Sequence, residues 1–321
     1  MSQTATTTME AQPTSLIAAP TAAVPKAAKP LAEGRATLKD LAVDLACAYR
    51  LADEWGMNEG ICNHFTIAVP QELHPHGLAD DAFLIIKYGT LWSEATAKDM
   101  LLVNTKGKIL CDWGTGCVQP VGYASSPASW ACASYDPTAF NIHKAVHLRL
   151  GSAGAVVLHT HMPSVTTLNA LKPEAGGRIL QVHQNSCRFY NNVAYDENFG
   201  GLADDTSEGC AEGDRIASVL EGPSQHRIRA AFLRNHGILI VAENLWEAMD
   251  DLYYLERSAL FQVEALKAAG GDMSKLAIMA DEVAIDTYKQ WERFRAEGGW
   301  KHFIAHKRRL LRKDPAIHNL L

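Results

Sequence analysis

The sequence predicts an α/β protein, and three observations predict it. Two apolar runs, residues 154–158 and 230–241, have the length and aliphatic content of buried strands. Two long segments, 37–55 and 245–269, repeat their apolar residues at helical spacing. Short alternating runs joined by polar turns lie between them and read as β-hairpins.

Taken in order, residues 1–36 form the first unit. Pro13, Pro20, Pro25 and Pro30 interrupt every helical pattern in a segment rich in Ala and Thr, which has few large apolar residues to bury. It also lacks the basic and long apolar regions of a secretory leader, so the expectation is a disordered arm. From Thr37, Leu38, Leu41, Leu45, Ala48, Tyr49 and Ala52 fall on one helical face, and that helix stops near Gly56. Residues 63–70 alternate as a strand ended by Pro70, with 82–87 as its partner, and 100–104 pairs with 108–110 through a Thr105-Lys106-Gly107 turn. A helix over 137–150 precedes the first buried run. Residues 164–171 read as helical, 181–186 as extended and 208–220 as helical, followed by the long helix over 245–269. The core domain is therefore placed at 37–270. The remainder, 271–321, is read as a helical extension whose amphipathic stretch from Trp300 packs on its own or a neighbouring subunit.

The charge pattern narrows the function. A net charge of -6 with no long basic run gives no footprint for nucleic acid. No apolar stretch reaches the roughly 18–20 residues of a membrane span. The seven cysteines are scattered and never in a C-x-x-C pair, which fits a reducing compartment, so the expected location is cytoplasmic.

The chemistry begins where the first run ends, at His159-Thr160-His161. Alternation along a strand puts both imidazoles on one face, able to meet one ion, and imidazole nitrogen suits Zn²⁺, Mn²⁺ or Fe²⁺. Two such ligands need at least one more. His236, in the middle of the second run and followed by Gly237, is the candidate third ligand.

Asn63, Lys87-Tyr88-Gly89, His159-Thr160-His161 and Asn235-His236-Gly237 stand in an order and context that resembles the class II aldolase/adducin family over about residues 38–269. Residues 137–154 and the Tyr253-Tyr254-Leu255-Glu256-Arg257 helix look like its bacterial adducin-like branch. The resemblance implies a three-layer α/β/α sandwich around a largely antiparallel sheet. It further implies a divalent metal, zinc foremost, held by His159, His161 and His236, and a homotetramer with active sites between subunits. It points to Asn63, Lys87 and Gly89 as substrate-binding residues and to Tyr195 as a proton donor reaching a neighbouring subunit's metal, a suitable role for a high-pKa phenol. Asn63 and His64, being adjacent on a strand, are expected to face opposite ways, with Asn63 toward the site. His143 and His147 are expected to be buried, hydrogen-bonded helix histidines, and His183 is a further pocket candidate.

The departures from the family pattern matter as much. The sugar-phosphate aldolases have an acid four positions before the helix histidine that His143 resembles, and here that position is Ala139. Asp136, three residues earlier, reads as a helix N-cap. Small hydroxyl and glycine residues that clamp phosphate are not evident, whereas Lys87, Tyr88 and Trp92 suit a carboxylate on an apolar body. The expected activity is a metal-dependent carbon–carbon lyase, a decarboxylase or retro-aldolase acting on a small hydroxy- or keto-carboxylate. The alternatives are a non-haem iron oxygenase, a non-catalytic adducin-like interaction domain and, disfavoured by Ala139, an epimerase.

Overall fold

The structure is a computed structural model that describes residues 37–74, 81–115, 134–199, 201, 207–221 and 227–319. The expected arm at 1–36 lies outside them. The first helix, α1 (Leu38–Glu54), begins where the sequence places it: Thr37 caps it, accepting from Asp40 N while Asp40 accepts from Thr37 N. Such a reciprocal pair satisfies two of the donors that a helix start leaves open. Its apolar face, with Leu45, Tyr49 and Leu51 among others, is buried.

Among the described residues, eight strands make one sheet. They are β1 (His64–Val69), β2 (Ala82–Ile86), β3 (Met100–Asn104), β4 (Ile109–Asp112), β5 (Val156–Thr160), β6 (Val193–Asp196), β7 (Ala230–Leu233) and β8 (Gly237–Ala242). Their order across the sheet is β4-β3-β2-β1-β5-β8-β7-β6, and every pair is antiparallel except β6 with β7. Helices cover both faces. α1, α3 (Pro163–Asn169) and α5 (Leu245–Ala268) share one apolar cluster with Phe65, Leu158 and Ile240. α2 (Pro137–Leu150) and α4 (Ser207–Glu221) cover the other face, against Val157, Leu239 and Val241. The result is the three-layer α/β/α sandwich around a largely antiparallel sheet.

α6 (Asp281–Lys313) lies within the segment read from the sequence as a helical extension, and it contains the amphipathic stretch from Trp300. It docks on α5 through ion pairs: Arg295 meets Glu247 and Asp251, and His302 Nδ1 lies 2.8 Å from Asp250. Among the described residues no helix is long and apolar enough to cross a membrane.

Three readings of the sequence change. Residues 181–186 are not a strand; a 3-10 turn, Gln184–Phe189, occupies part of them and is capped by His183. The run at 230–241 is not one strand but two, because Asn235 adopts a left-handed φ of 57° that turns the chain back between β7 and β8. Cys111, on β4, is disulfide-bonded, which the scattered cysteine pattern did not foretell, while Cys47, Cys62 and Cys187 are free.

Candidate metal centre

The sheet topology gathers one site from three strand ends. β5 carries His159 and releases His161 just beyond its last residue; β8 runs antiparallel beside it, with Leu239 opposite His159. His236 therefore sits in the β7–β8 turn rather than within a strand. Gly237 follows because there is no room for a side chain: a Cβ there would stand 2.6 Å from His161 Cδ2 and 2.7 Å from the Thr160 carbonyl oxygen. Asn169, on α3, staples the turn from below by donating its amide to the carbonyls of Leu233 and Gly237, on either side of His236.

One ligand nitrogen from each of His159, His161 and His236 can be chosen so that all lie within 4.8 Å of one another. His159 Nδ1 lies 3.0 Å from the Ile238 carbonyl oxygen, which can only accept, so Nδ1 carries the proton and Nε2 is the free ligand atom. His161 Nδ1 is 2.5 Å from a Glu59 carboxylate oxygen, and its Nε2 is buried without a hydrogen-bond partner. An outer partner that fixes ring orientation is the usual arrangement behind a metal-binding histidine. Burial, followed by repulsion from the neighbouring rings, pushes His159 well below the ordinary imidazole range and His236 down to about 4. Three imidazoles with converging ring nitrogens, one of them buried and orphaned, fit a divalent ion.

Asn63, Lys87 and Gly89 line one pocket, as the sequence led us to expect, together with Tyr88 and Asp136. Asn63 Oδ1 accepts from Glu59 N at 2.7 Å and from His161 N at 3.4 Å, which ties this pocket to the histidines, while its Nδ2 is buried with no partner. Lys87 Nζ is held 2.7 Å from Asp112. Gly89 has a φ of +88°, a turn that a side chain would strain.

His64 corrects the alternation argument: it lines the same pocket as Asn63, because Asn63 precedes β1 and is not bound by the strand's pleat. His64 pairs in register with His159, and their ring centroids are 4.7 Å apart. That cross-strand placement, together with Glu59 and Asn169, is what sequence reasoning missed. Only the Glu59–Asn63 spacing offered a local hint.

Asp136 is the N-cap of α2, its Oδ1 accepting from Thr138 N and Ala139 N. Ala139 is fully buried in an apolar cluster with Phe83, Ile85 and Leu101, surroundings that disfavour a carboxylate. Tyr195 lies on β6, the edge strand, where its ring packs on Phe232 beneath the Arg178 guanidinium and its hydroxyl accepts from Ile179 N. It makes no ring contact with the three histidines of its own chain. His183 accepts from Asn185 N and packs on Phe261, so it caps a turn rather than joining the centre.

The family model for the class II aldolase and adducin N-terminal domain matches residues 43–263, more than half of the chain. A putative aldolase class 2 protein of Caulobacter vibrioides is 27% identical, over 77% of this chain and 79% of that one. Alpha-adducin of Mus musculus is 29% identical over 73% of this chain, a match spanning only 26% of the adducin. Among solved structures, an aldolase II superfamily protein from Pseudomonas syringae superposes with a TM-score of 0.70 at 26% identity, covering 89% of this chain and 98% of that one. An L-fuculose 1-phosphate aldolase from Glaciozyma antarctica has the same fold, with a TM-score of 0.65 at 21% identity over 89% of this chain and 96% of that one. The chain belongs to the class II aldolase and adducin family.

Proposed function

We propose that the protein is a divalent-metal-dependent carbon–carbon lyase, a decarboxylase or retro-aldolase, acting on a small hydroxy- or keto-carboxylate. The observation that carries the reading is the convergence of the His159, His161 and His236 ligand nitrogens within 4.8 Å, beside a pocket lined by a buried, unpartnered Asn63 amide. A divalent ion bound by these histidines, zinc in the first instance, supplies Lewis-acid stabilisation of negative charge developing on a substrate oxygen.

The chain's own residues supply the rest. Glu59 and the Ile238 carbonyl orient two of the ligand rings. Asn63 Nδ2 is the donor for a substrate oxygen beside the histidines. The Lys87 ammonium has three donors and gives one to Asp112, which leaves capacity for a substrate carboxylate. Ala139, set in an apolar cluster, offers no carboxylate base to abstract a carbon-bound proton, so cleavage fits better than epimerisation. CO₂ or an aldehyde departs, the bonding pair stays on the retained fragment, and a late protonation of that carbon follows, in the retro-aldol case replacing the proton the hydroxyl gives up as the aldehyde forms. Tyr195 is proposed as the late proton donor toward a neighbouring copy. Supporting this, it lies on the edge strand, its hydroxyl engages Ile179 only as an acceptor, and burial raises its pKa, keeping the phenol protonated.

The test is a screen of hydroxy- and keto-carboxylates with the metal-loaded protein, reading CO₂ and aldehyde release. Turnover that disappears on chelation and returns with metal is the expected result. A metal-replete protein that cleaves none of them but consumes oxygen with iron would replace the lyase reading with an oxygenase.

A further inference from the structure

Behind the pocket, the α2 face of the sheet holds a line of buried polar groups that the proposed chemistry does not use. His147 Nδ1 lies 2.7 Å from the Gly154 carbonyl oxygen, and His147 Nε2 lies 2.8 Å from Thr66 Oγ1. Thr66 Oγ1 is 2.5 Å from His143 Nδ1, and His143 Nε2 is 2.7 Å from His64 Nδ1. All four side chains are buried, and His64 ends the line at the pocket.

The direction of every bond follows from the first. A carbonyl oxygen only accepts, so His147 carries its proton on Nδ1, and its Nε2 must accept the Thr66 hydroxyl proton. Thr66, having given its one proton, accepts from His143 Nδ1–H. His143 Nε2 is then bare and accepts from His64 Nδ1–H. His64 is left with a lone pair on Nε2, the ring nitrogen that remains for whatever enters the pocket. Burial agrees with neutral rings along the line, pushing His147 down to about 4 and His143 well below the ordinary imidazole range.

We propose that the Gly154–His147–Thr66–His143 line is a tautomer lock that holds His64 as the Nδ1–H form, making its Nε2 a fixed hydrogen-bond acceptor. Beside it, Asn63 Nδ2 is a fixed donor. An acceptor and a donor on adjacent residues read a substrate that carries a hydroxyl next to a carbonyl or carboxylate oxygen. Resting on the lyase reading, this narrows the substrate class to hydroxy compounds. A site built to bond a substrate hydroxyl discriminates strongly against the analogue that lacks it. His64 is thereby a specificity residue, and Thr66, His143 and His147 are positioning residues acting through it.

Long-range ¹H–¹⁵N NMR of the full chain labelled on histidine nitrogen tests the lock without turnover. The expected result at neutral pH is a protonated Nδ1 and a bare Nε2 on His64, His143 and His147 alike. Thr66→Val, nearly isosteric but without the hydroxyl, releases His143 and shifts His64 toward the Nε2–H form, whereas Thr66→Ser retains the wild-type pattern. A wild-type His64 in the Nε2–H form, or a His64 pattern that Thr66→Val leaves unchanged, overturns the lock. Titrating the zinc-loaded protein with glycolate and with acetate tests the hydroxyl reading: glycolate alone is expected to move the His64 Nε2 resonance. Equal responses to both, or none to glycolate, overturn it. Because the tautomer readout requires no activity, an intact lock in a protein without lyase turnover would sink the lyase reading and leave the lock standing.

Discussion

At the scale of single residues, the centre depends on a hydrogen atom at position 237. Gly237→Ala places a methyl against His161 Cδ2 and the Thr160 carbonyl, and the backbone carbonyl is the contact that cannot swing aside. The expected outcome is a loss of stability of about 1–3 kcal/mol, typical of overpacking, with metal content falling well below that of the wild type. Thermal unfolding and metal analysis of the purified variant check it, and a variant that keeps both would show that the turn is slacker than its contacts indicate. His159 and His161 were legible in the sequence because a period of two along one strand needs no knowledge of the fold. His236 was legible as a residue but not as a turn. Asn235 adopts its left-handed conformation without a Pro-Gly or Asn-Gly pair to announce it. Glu59, His64 and Asn169 reach the site through strand register and helix docking, which are long-range properties that no local pattern carries.

At the scale of elements, β1 and α2 are joined by the buried histidine line, and that line makes the fold sensitive to acid. His147 titrates near its ordinary value of 6.5 when unfolded and near 4 when folded, because burial disfavours the charged ring. Below pH 6.5 the unfolded chain therefore takes up the proton first. The stability is fully present above about pH 6.5 and is lost as pH falls toward about 4, with a contribution of order 3 kcal/mol from this group. His143, His159 and His236 shift in the same direction. With a chelator present throughout, so that metal release does not contribute, the melting temperature should fall steadily from pH 7 to pH 5. A flat profile over that interval would contradict the neutral, buried line. The elements themselves were read with uneven success for physical reasons. α1 and α2 carry caps, Thr37 and Asp136, and an amphipathic face, and their ends agree with the sequence reading to within a residue. β6 is short, half-buried and at the sheet edge, so it lacks the apolar content that marks a strand.

On the scale of the whole molecule, we propose an oligomer, most simply the tetramer that the family resemblance implies. Leu91, Leu148, Phe199, Ile278, Val283 and Phe294 are large apolar side chains left 47–61% exposed in the single chain, which is surface available to a neighbouring copy. Light scattering of the full chain and of a chain lacking residues 1–30 should give the same oligomeric mass, since those residues include few large apolar side chains. A monodisperse monomer at micromolar concentration would remove the shared site and with it the role proposed for Tyr195. The sandwich as a whole was legible through the resemblance, because the quoted motifs fall on strand ends that the fold brings together. The long α6 was only partly so. Much of its docking on α5 rests on ion pairs such as Arg295 with Asp251, and charged residues along a helix read equally well as a solvated face.

The proposed chemistry depends on the three-histidine centre, and its most direct measurement is the metal content of the protein purified without added metal, beside that of His236→Ala. Close to one divalent ion per chain in the wild type is predicted, with most of it lost in the variant while the circular dichroism spectrum is unchanged, since one side chain in a turn does not support a domain of this size. Equal metal content in the two proteins would exclude His236 as a ligand, and a folded wild type that binds no divalent ion even when one is supplied would contradict the central claim outright.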